Sequence, residues 1–198
     1  MLYEFARGLL RPVFKFFYRI KVEGVENLPE DGPFIICSNH TSSIDPIFIG
    51  VSLPVKRIYS MAKVELFKNK FIGYILRNLY AFPVKRGEAD LGSIKNALKL
   101  LNDRKILGIF PEGTRNKSED VKAEPGIAML SIKSRAPIVP VAIKSNYKFF
   151  NKTILYVGKP LSLEQYYDVR LKTEDYTKIS FDIMKSIKET QKGENNSR

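Results

Sequence analysis

Short apolar runs alternate with helix-patterned segments through most of this chain, and that rhythm restricts the fold more than any other feature. Phe34 to Cys37 reads as a buried strand after the turn Pro29-Glu30-Asp31-Gly32-Pro33. Arg57 to Met61, Ala81 to Val84, Ile106 to Phe110, Ile138 to Ile143 and Ile154 to Val157 read as further strands. Between them, Pro46 to Leu53 reads as a short helix, and Val64 to Leu79 keeps helical spacing in Phe67, Phe71, Tyr74, Ile75 and Leu79. Asp90 caps a helix with Leu91, Ile94, Leu98 and Leu101 on one face, and Thr173 opens a last helix with Tyr176, Ile179, Ile183, Met184 and Ile187 inward. Strands separated by helices predict an α/β fold, with binding sites at the carboxyl ends of the strands. The expected form is a single domain: a mainly parallel mixed sheet flanked by helices, with an N-terminal amphipathic helix. A length of 198 residues suits one domain. The expected organisation is an arm at 1–21, the α/β domain at 22–190 and a polar tail at 191–198, with the polar stretch Lys188 to Arg198 expected to fray.

The amino-terminal segment carries its own pattern. Arg7, Arg11, Lys15 and Arg19 recur every four residues, with Leu9, Leu10, Val13, Phe14, Phe16, Phe17 and Ile20 filling the gaps. On a helical wheel the cations span roughly 0° to 120° and the apolar side chains roughly 160° to 340°. Such a helix lies in the headgroup region of an anionic membrane, apolar face down, and an ordinary surface helix packed on its own core shows the same pattern. Pro12 either kinks the segment or marks the helix start. With no run of 18 or more apolar residues and no secretory signal, the expected attachment is peripheral, through residues 1–20, on the cytoplasmic face of a membrane.

A formal charge of +12 and a pI near 9.7 favour an anionic partner: nucleic acid, a membrane surface or a phosphorylated substrate. No recognisable nucleic-acid-binding motif is present, so no nucleic-acid partner is expected. Cys37 is the one cysteine and His40 the one histidine, which excludes an intramolecular disulfide and makes a His/Cys metal site unexpected.

Chemistry-bearing residues cluster where strands end. His40 follows the strand Phe34 to Cys37, and Asp45 stands five residues later at a helix start, close enough to meet across one turn. A carboxylate that accepts from one imidazole nitrogen fixes the tautomer and makes the other nitrogen a better base for a hydroxyl. Asp45 as a simple helix N-cap is an equal alternative. Phe110-Pro111-Glu112-Gly113-Thr114-Arg115 follows another strand and reads as a phosphate loop, with Gly113 admitting close approach, Thr114 offering a hydroxyl and Arg115 a bidentate grip. It is not a P-loop, and a plain turn is the alternative. Phe82-Pro83-Val84-Lys85-Arg86 ends a strand with two cations, and Ile138-Val139-Pro140-Val141 reads as an edge or interrupted strand.

Together these four blocks resemble the glycerolipid acyltransferase family, specifically the 1-acyl-sn-glycerol-3-phosphate (lysophosphatidate) acyltransferases. Asn39-His40 through Asp45 matches the H-x-x-x-x-D block, Phe82 through Arg86 the second, Phe110 through Arg115 the F-P-E-G-T-R block, and Ile138 through Val141 the fourth, over about residues 22 to 160. The run Ala62-Lys63-Val64-Glu65-Leu66-Phe67 also looks like a stretch common in that family, whereas Tyr80 stands where many relatives carry glycine.

The resemblance implies acyl transfer from acyl-CoA or acyl carrier protein, as cosubstrate, to the sn-2 hydroxyl of lysophosphatidate, with no further cofactor and no acyl-enzyme. It implies His40 as general base and Asp45 as its orienting partner. Glu112, Gly113, Thr114 and Arg115 are assigned to acceptor binding, Lys63 and Arg86 join Arg115 on the phosphate, and Pro140 shapes the acyl or thioester pocket. Glycerol 3-phosphate or another lysophospholipid is the alternative acceptor. A serine hydrolase is disfavoured because no G-x-S-x-G elbow exists. A basic lipid- or nucleic-acid-binding module is the non-enzymatic alternative.

Overall fold

The amino-terminal segment forms α1 (Leu2–Phe17), followed by β1 (Ile20–Glu23), β2 (Phe34–Ser38), α2 (Asp45–Ser52), β3 (Ile58–Lys63), α3 (Lys70–Asn78) and β4 (Ala81–Val84). The chain continues through α4 (Leu91–Asn102), β5 (Ile106–Ile109), α5 (Gly126–Ser134), β6 (Ile138–Lys144), β7 (Thr153–Val157) and α6 (Thr173–Lys192). The structure, a computed structural model, describes residues 2–85, 90–111 and 124–192. Among these residues seven strands make one sheet in the order β1-β7-β6-β2-β5-β3-β4. Every pairing is parallel except β6 with β7, so the predicted mainly parallel mixed sheet is the one that forms.

Alternation along the central strands builds two cores. In β2, Ile35 and Cys37 face α4, α5 and α6 together with Leu107 and Ile138, whereas Phe34 and Ile36 face α1 and α2 together with Phe48, Val139 and Val141. The helix that follows β2 therefore covers one face and the helix that follows the neighbouring β5 covers the other. Where two adjacent strands send their chains to opposite faces, a crevice opens at their carboxyl ends.

Pro140 departs from the edge-strand expectation, because β6 lies inside the sheet between β7 and β2. A residue's N–H and C=O point to the same side of a strand, and the Pro140 carbonyl accepts from Gly158 N at 2.8 Å, just past the last β6–β7 pair at Val141 and Val157. The missing N–H thus points to the β7 side, where the β6–β7 pairing ends at Val141 and Val157, while the pairing of β6 with β2 on the other side is kept.

Three further differences have local causes. The run Val64 to Leu79 breaks into a 3₁₀ turn (Val64–Phe67) and α3, because the Asn69 side chain accepts from Phe71 N and Ile72 N and starts a new helix. Phe71 and Tyr74 then stand outward, 73 % and 63 % exposed. Within the polar stretch that begins at Lys188, the helix continues to Lys192, with Thr190 buried.

Helix α1 is docked on the body. Tyr3, Leu10, Phe14 and Phe17 turn inward, with the Phe14 ring edge-on to Phe48 of α2, while Leu2, Phe5, Leu9, Val13 and Phe16 remain exposed. Arg7 also turns inward, its guanidinium donating to the carbonyls of Leu53 and Val55 just beyond α2. The helix runs continuously through Pro12.

Candidate active site

The last residues of β2 and the first of α2 bracket a tight loop. The Asn39 side chain spans to Ile143 of β6, accepting from its N–H at 2.8 Å and donating to its carbonyl at 3.1 Å, so the loop is anchored to the neighbouring strand. His40 and Asp45 meet inside: Nδ1 lies 3.2 Å from Asp45 Oδ2, with the histidine 6 % and the aspartate 0 % exposed. The same Oδ2 accepts from the backbone N–H of Thr41 at 2.8 Å and of Ser42 at 2.7 Å. Asp45 thus bonds back into the loop, which decides against the N-cap alternative, since its carboxylate reaches no N–H of its own helix.

The other oxygen, Oδ1, accepts from the Tyr147 hydroxyl at 2.8 Å, and that hydroxyl also bonds Thr41 Oγ1. Among the described residues, the other contacts to the Asp45 carboxylate, from two backbone N–H groups and a phenol, are all donors, a set that suits an acceptor-only group. In the neutral tautomer that donates to Asp45, Nδ1 carries the proton and Nε2 is the acceptor nitrogen. Among the described residues no group bonds to Nε2. The imidazole lies on the Phe110 ring, centroids 4.3 Å apart and planes inclined by 30°.

Phe110 also lines a cavity of about 480 Å³, whose walls include Met61, Val84, Ile94, Ile109 and Leu130. Lys63 ends β3 at the same edge of the sheet, half-exposed and 3.7 Å from Glu65. Pro140 is buried in β6 beside Gly158 and opposite Cys37. Arg86, Glu112, Gly113, Thr114 and Arg115 lie outside the described residues. Tyr147, Thr41 and the Asn39–Ile143 anchor complete the arrangement, and none of these roles is visible in a local motif, because Tyr147 and Asp45 are 102 positions apart.

The fold thus sets a buried imidazole–carboxylate pair at the switch point of an α/β sheet, one aromatic ring from an apolar cavity, a geometry suited to general-base chemistry. A family profile described as Acyltransferase matches residues 19–144, and the chain belongs to that family. It is 39 % identical over 165 residues to a Bacillus subtilis protein named 1-acyl-sn-glycerol-3-phosphate acyltransferase, covering 81 % of this chain and 82 % of that one. A Borreliella burgdorferi protein of the same name is 30 % identical over 142 residues, covering 70 % of this chain and 56 % of its own length. In fold, the chain matches the 1-acyl-sn-glycerophosphate (LPA) acyltransferase PlsC of Thermotoga maritima with a TM-score of 0.63, at 22 % identity over 93 % of this chain and 82 % of that one.

Proposed function

We infer that the chain is an enzyme that transfers a fatty acyl group from an acyl thioester to the sn-2 hydroxyl of lysophosphatidate, making phosphatidate for phospholipid synthesis. The observation that carries this reading is the buried His40–Asp45 pair, with Nε2 left as an acceptor, in a chain whose relatives are named for that reaction. His40 Nε2 takes the hydroxyl proton as the oxygen attacks the thioester carbonyl. The C–O bond forms, the C–S bond breaks, and the imidazolium returns its proton to the departing thiolate. Asp45 holds the imidazole and stabilises its cation through the transfer. The cavity beyond Phe110 takes the acyl chain, and Lys63 meets the acceptor phosphate together with Arg86 and Arg115. The donor is acyl-CoA or acyl carrier protein, and no metal or other cofactor enters the chemistry.

Among the described residues no helix is long and apolar enough to cross a membrane. Contact with the cytoplasmic face of an anionic membrane is assigned to the outward side of α1, where the exposed stripe Phe5, Leu9, Val13 and Phe16 runs beside Arg11 and Lys15.

The test is thiol release from acyl-CoA and acyl carrier protein, offered lysophosphatidate, glycerol 3-phosphate or lysophosphatidylcholine, for wild type and His40→Ala. Lysophosphatidate-dependent release is expected. It should fall by roughly 10²- to 10⁴-fold in the variant, with an unchanged circular dichroism spectrum. Release that ignores the acceptor would mark a thioesterase, and a near-native rate in His40→Ala would overturn the general-base role.

A further inference from the structure

Asp45 is held from two sides, and the chain uses its two oxygens differently. Oδ2 takes the imidazole and two backbone N–H groups, all from the loop that joins β2 to α2. Oδ1 takes the Tyr147 hydroxyl, which arrives from the far end of β6. The carboxylate is fully buried, so no solvent stands ready to replace a missing donor. We propose that Tyr147 is a positioning residue for the His40–Asp45 pair, fixing the plane of the carboxylate through the one oxygen that the loop itself does not reach. This inference rests on the reading of His40 as general base.

The surroundings of Tyr147 serve its hydroxyl. Because the phenol donates to Asp45, the Thr41 hydroxyl donates to the phenol, and the two bonds together fix the direction of the phenolic proton. The ring is parallel to that of Phe48, with planes within 1° and centroids 6.1 Å apart, and Phe48 is itself fully buried. Burial, and then the carboxylate beside it, push the Tyr147 phenol above the ordinary tyrosine range, so it keeps the proton it must donate.

The backbone is committed as well. Tyr147 and Phe150, neither a glycine, both sit in the left-handed region, with φ of 59° and 61°. Tyr147 N donates to Ser145 Oγ at 3.0 Å, Ser145 Oγ pairs with Thr153 Oγ1 at 2.7 Å, and Phe150 N donates to the Phe17 carbonyl at the end of α1. Backbone held in an unfavourable region by bonds on both sides is a mark of a functional constraint. A loop that only closed the β6–β7 turn would need the Tyr147 ring for packing but not its hydroxyl.

Tyr147→Phe separates these uses, because it keeps the ring and deletes only the donor. Its kcat should fall roughly 10-fold or more, the scale of one lost hydrogen bond to a charged group, with KM for thioester and acceptor little changed. His40 is the only histidine, so one imidazole signal reports the pair directly in a long-range ¹H–¹⁵N spectrum. Wild type should show the Nδ1-protonated form, and Tyr147→Phe a mixture of tautomers. In an Asp45→Asn background, Tyr147→Phe should cost nothing further, as expected of a residue acting through Asp45. Thr41→Val, which removes the hydroxyl that directs the phenol, should shift kcat and spectrum the same way and answers the question if the phenylalanine variant fails to fold.

An unchanged kcat, or a full additive loss in the Asp45→Asn background with an unaltered imidazole spectrum, would overturn the proposal. If His40→Ala itself keeps its activity, the general-base reading has failed instead, and the imidazole spectrum alone decides whether Tyr147 orders the pair.

Discussion

At the scale of single residues, Asn39 shows how a loop is made rigid enough for chemistry. Both polar atoms of its amide are spent on the backbone of Ile143, a residue only 2 % exposed. Asn39→Ala would leave a buried N–H unpaired and a buried carbonyl short of a bond. Destabilisation of about 1–3 kcal/mol is expected, read from urea unfolding at constant m-value. The His40–Asp45 pair was legible because its partners lie five positions apart, within reach of one turn. Asn39–Ile143 and Asp45–Tyr147 were not, since they join residues more than a hundred positions apart and depend on β6 lying beside β2. Tyr80 has a physical account: with φ of 61° it occupies a left-handed position that glycine tolerates, and it is compensated by packing against Tyr3 and Tyr59 under Arg57.

At the scale of elements, periodicity and caps located most of the sheet and helices. Ala81–Val84 forms as expected, and Asp90 caps α4, accepting from Ser93 N at 3.0 Å. Two elements were not read. The segment Gly126–Ser134 is apolar on nearly every side and buried in the core, so it carries no amphipathic period to recognise. Ile20–Glu23 is a four-residue edge strand whose first residue also continues the helical pattern of α1.

The Asp90 cap makes a pH prediction. Hydrogen bonds from Lys85 N, then from Ser93 N and Ser93 Oγ, lower its carboxyl to about 2, against an unfolded value near 4. A depressed carboxyl stabilises the fold fully above the unfolded value and loses that contribution as pH falls through the folded one. Asp90→Ala should therefore lower Tm at pH 7, with the gap to wild type closing between about pH 4 and pH 2; a gap independent of pH would contradict the cap.

At the scale of the whole molecule, α1 belongs to two surfaces at once. Its inner side completes the core over α2, and its outer stripe keeps Phe5 and Leu9 at 69 % and 59 % exposed. Replacing both by Ser removes apolar surface without touching the core. Sedimentation with phosphatidylglycerol vesicles should weaken by at least about 10-fold while Tm stays within a few degrees. Unchanged sedimentation would remove lipid contact from this stripe.

The guanidinium of Arg7, which the sequence pattern placed among lipid-facing cations, instead ties α1 to the end of the helix that begins with Asp45. The two packed helices therefore link the outer face of α1 to the loop that holds His40 and Asp45. On the function proposed above, this brace would hold His40 at a fixed distance from the outward stripe of α1. Were α1 to rest on lipid as proposed, the height of the base above the membrane would be a dimension of the fold, and a membrane-held acceptor would have to rise to meet it.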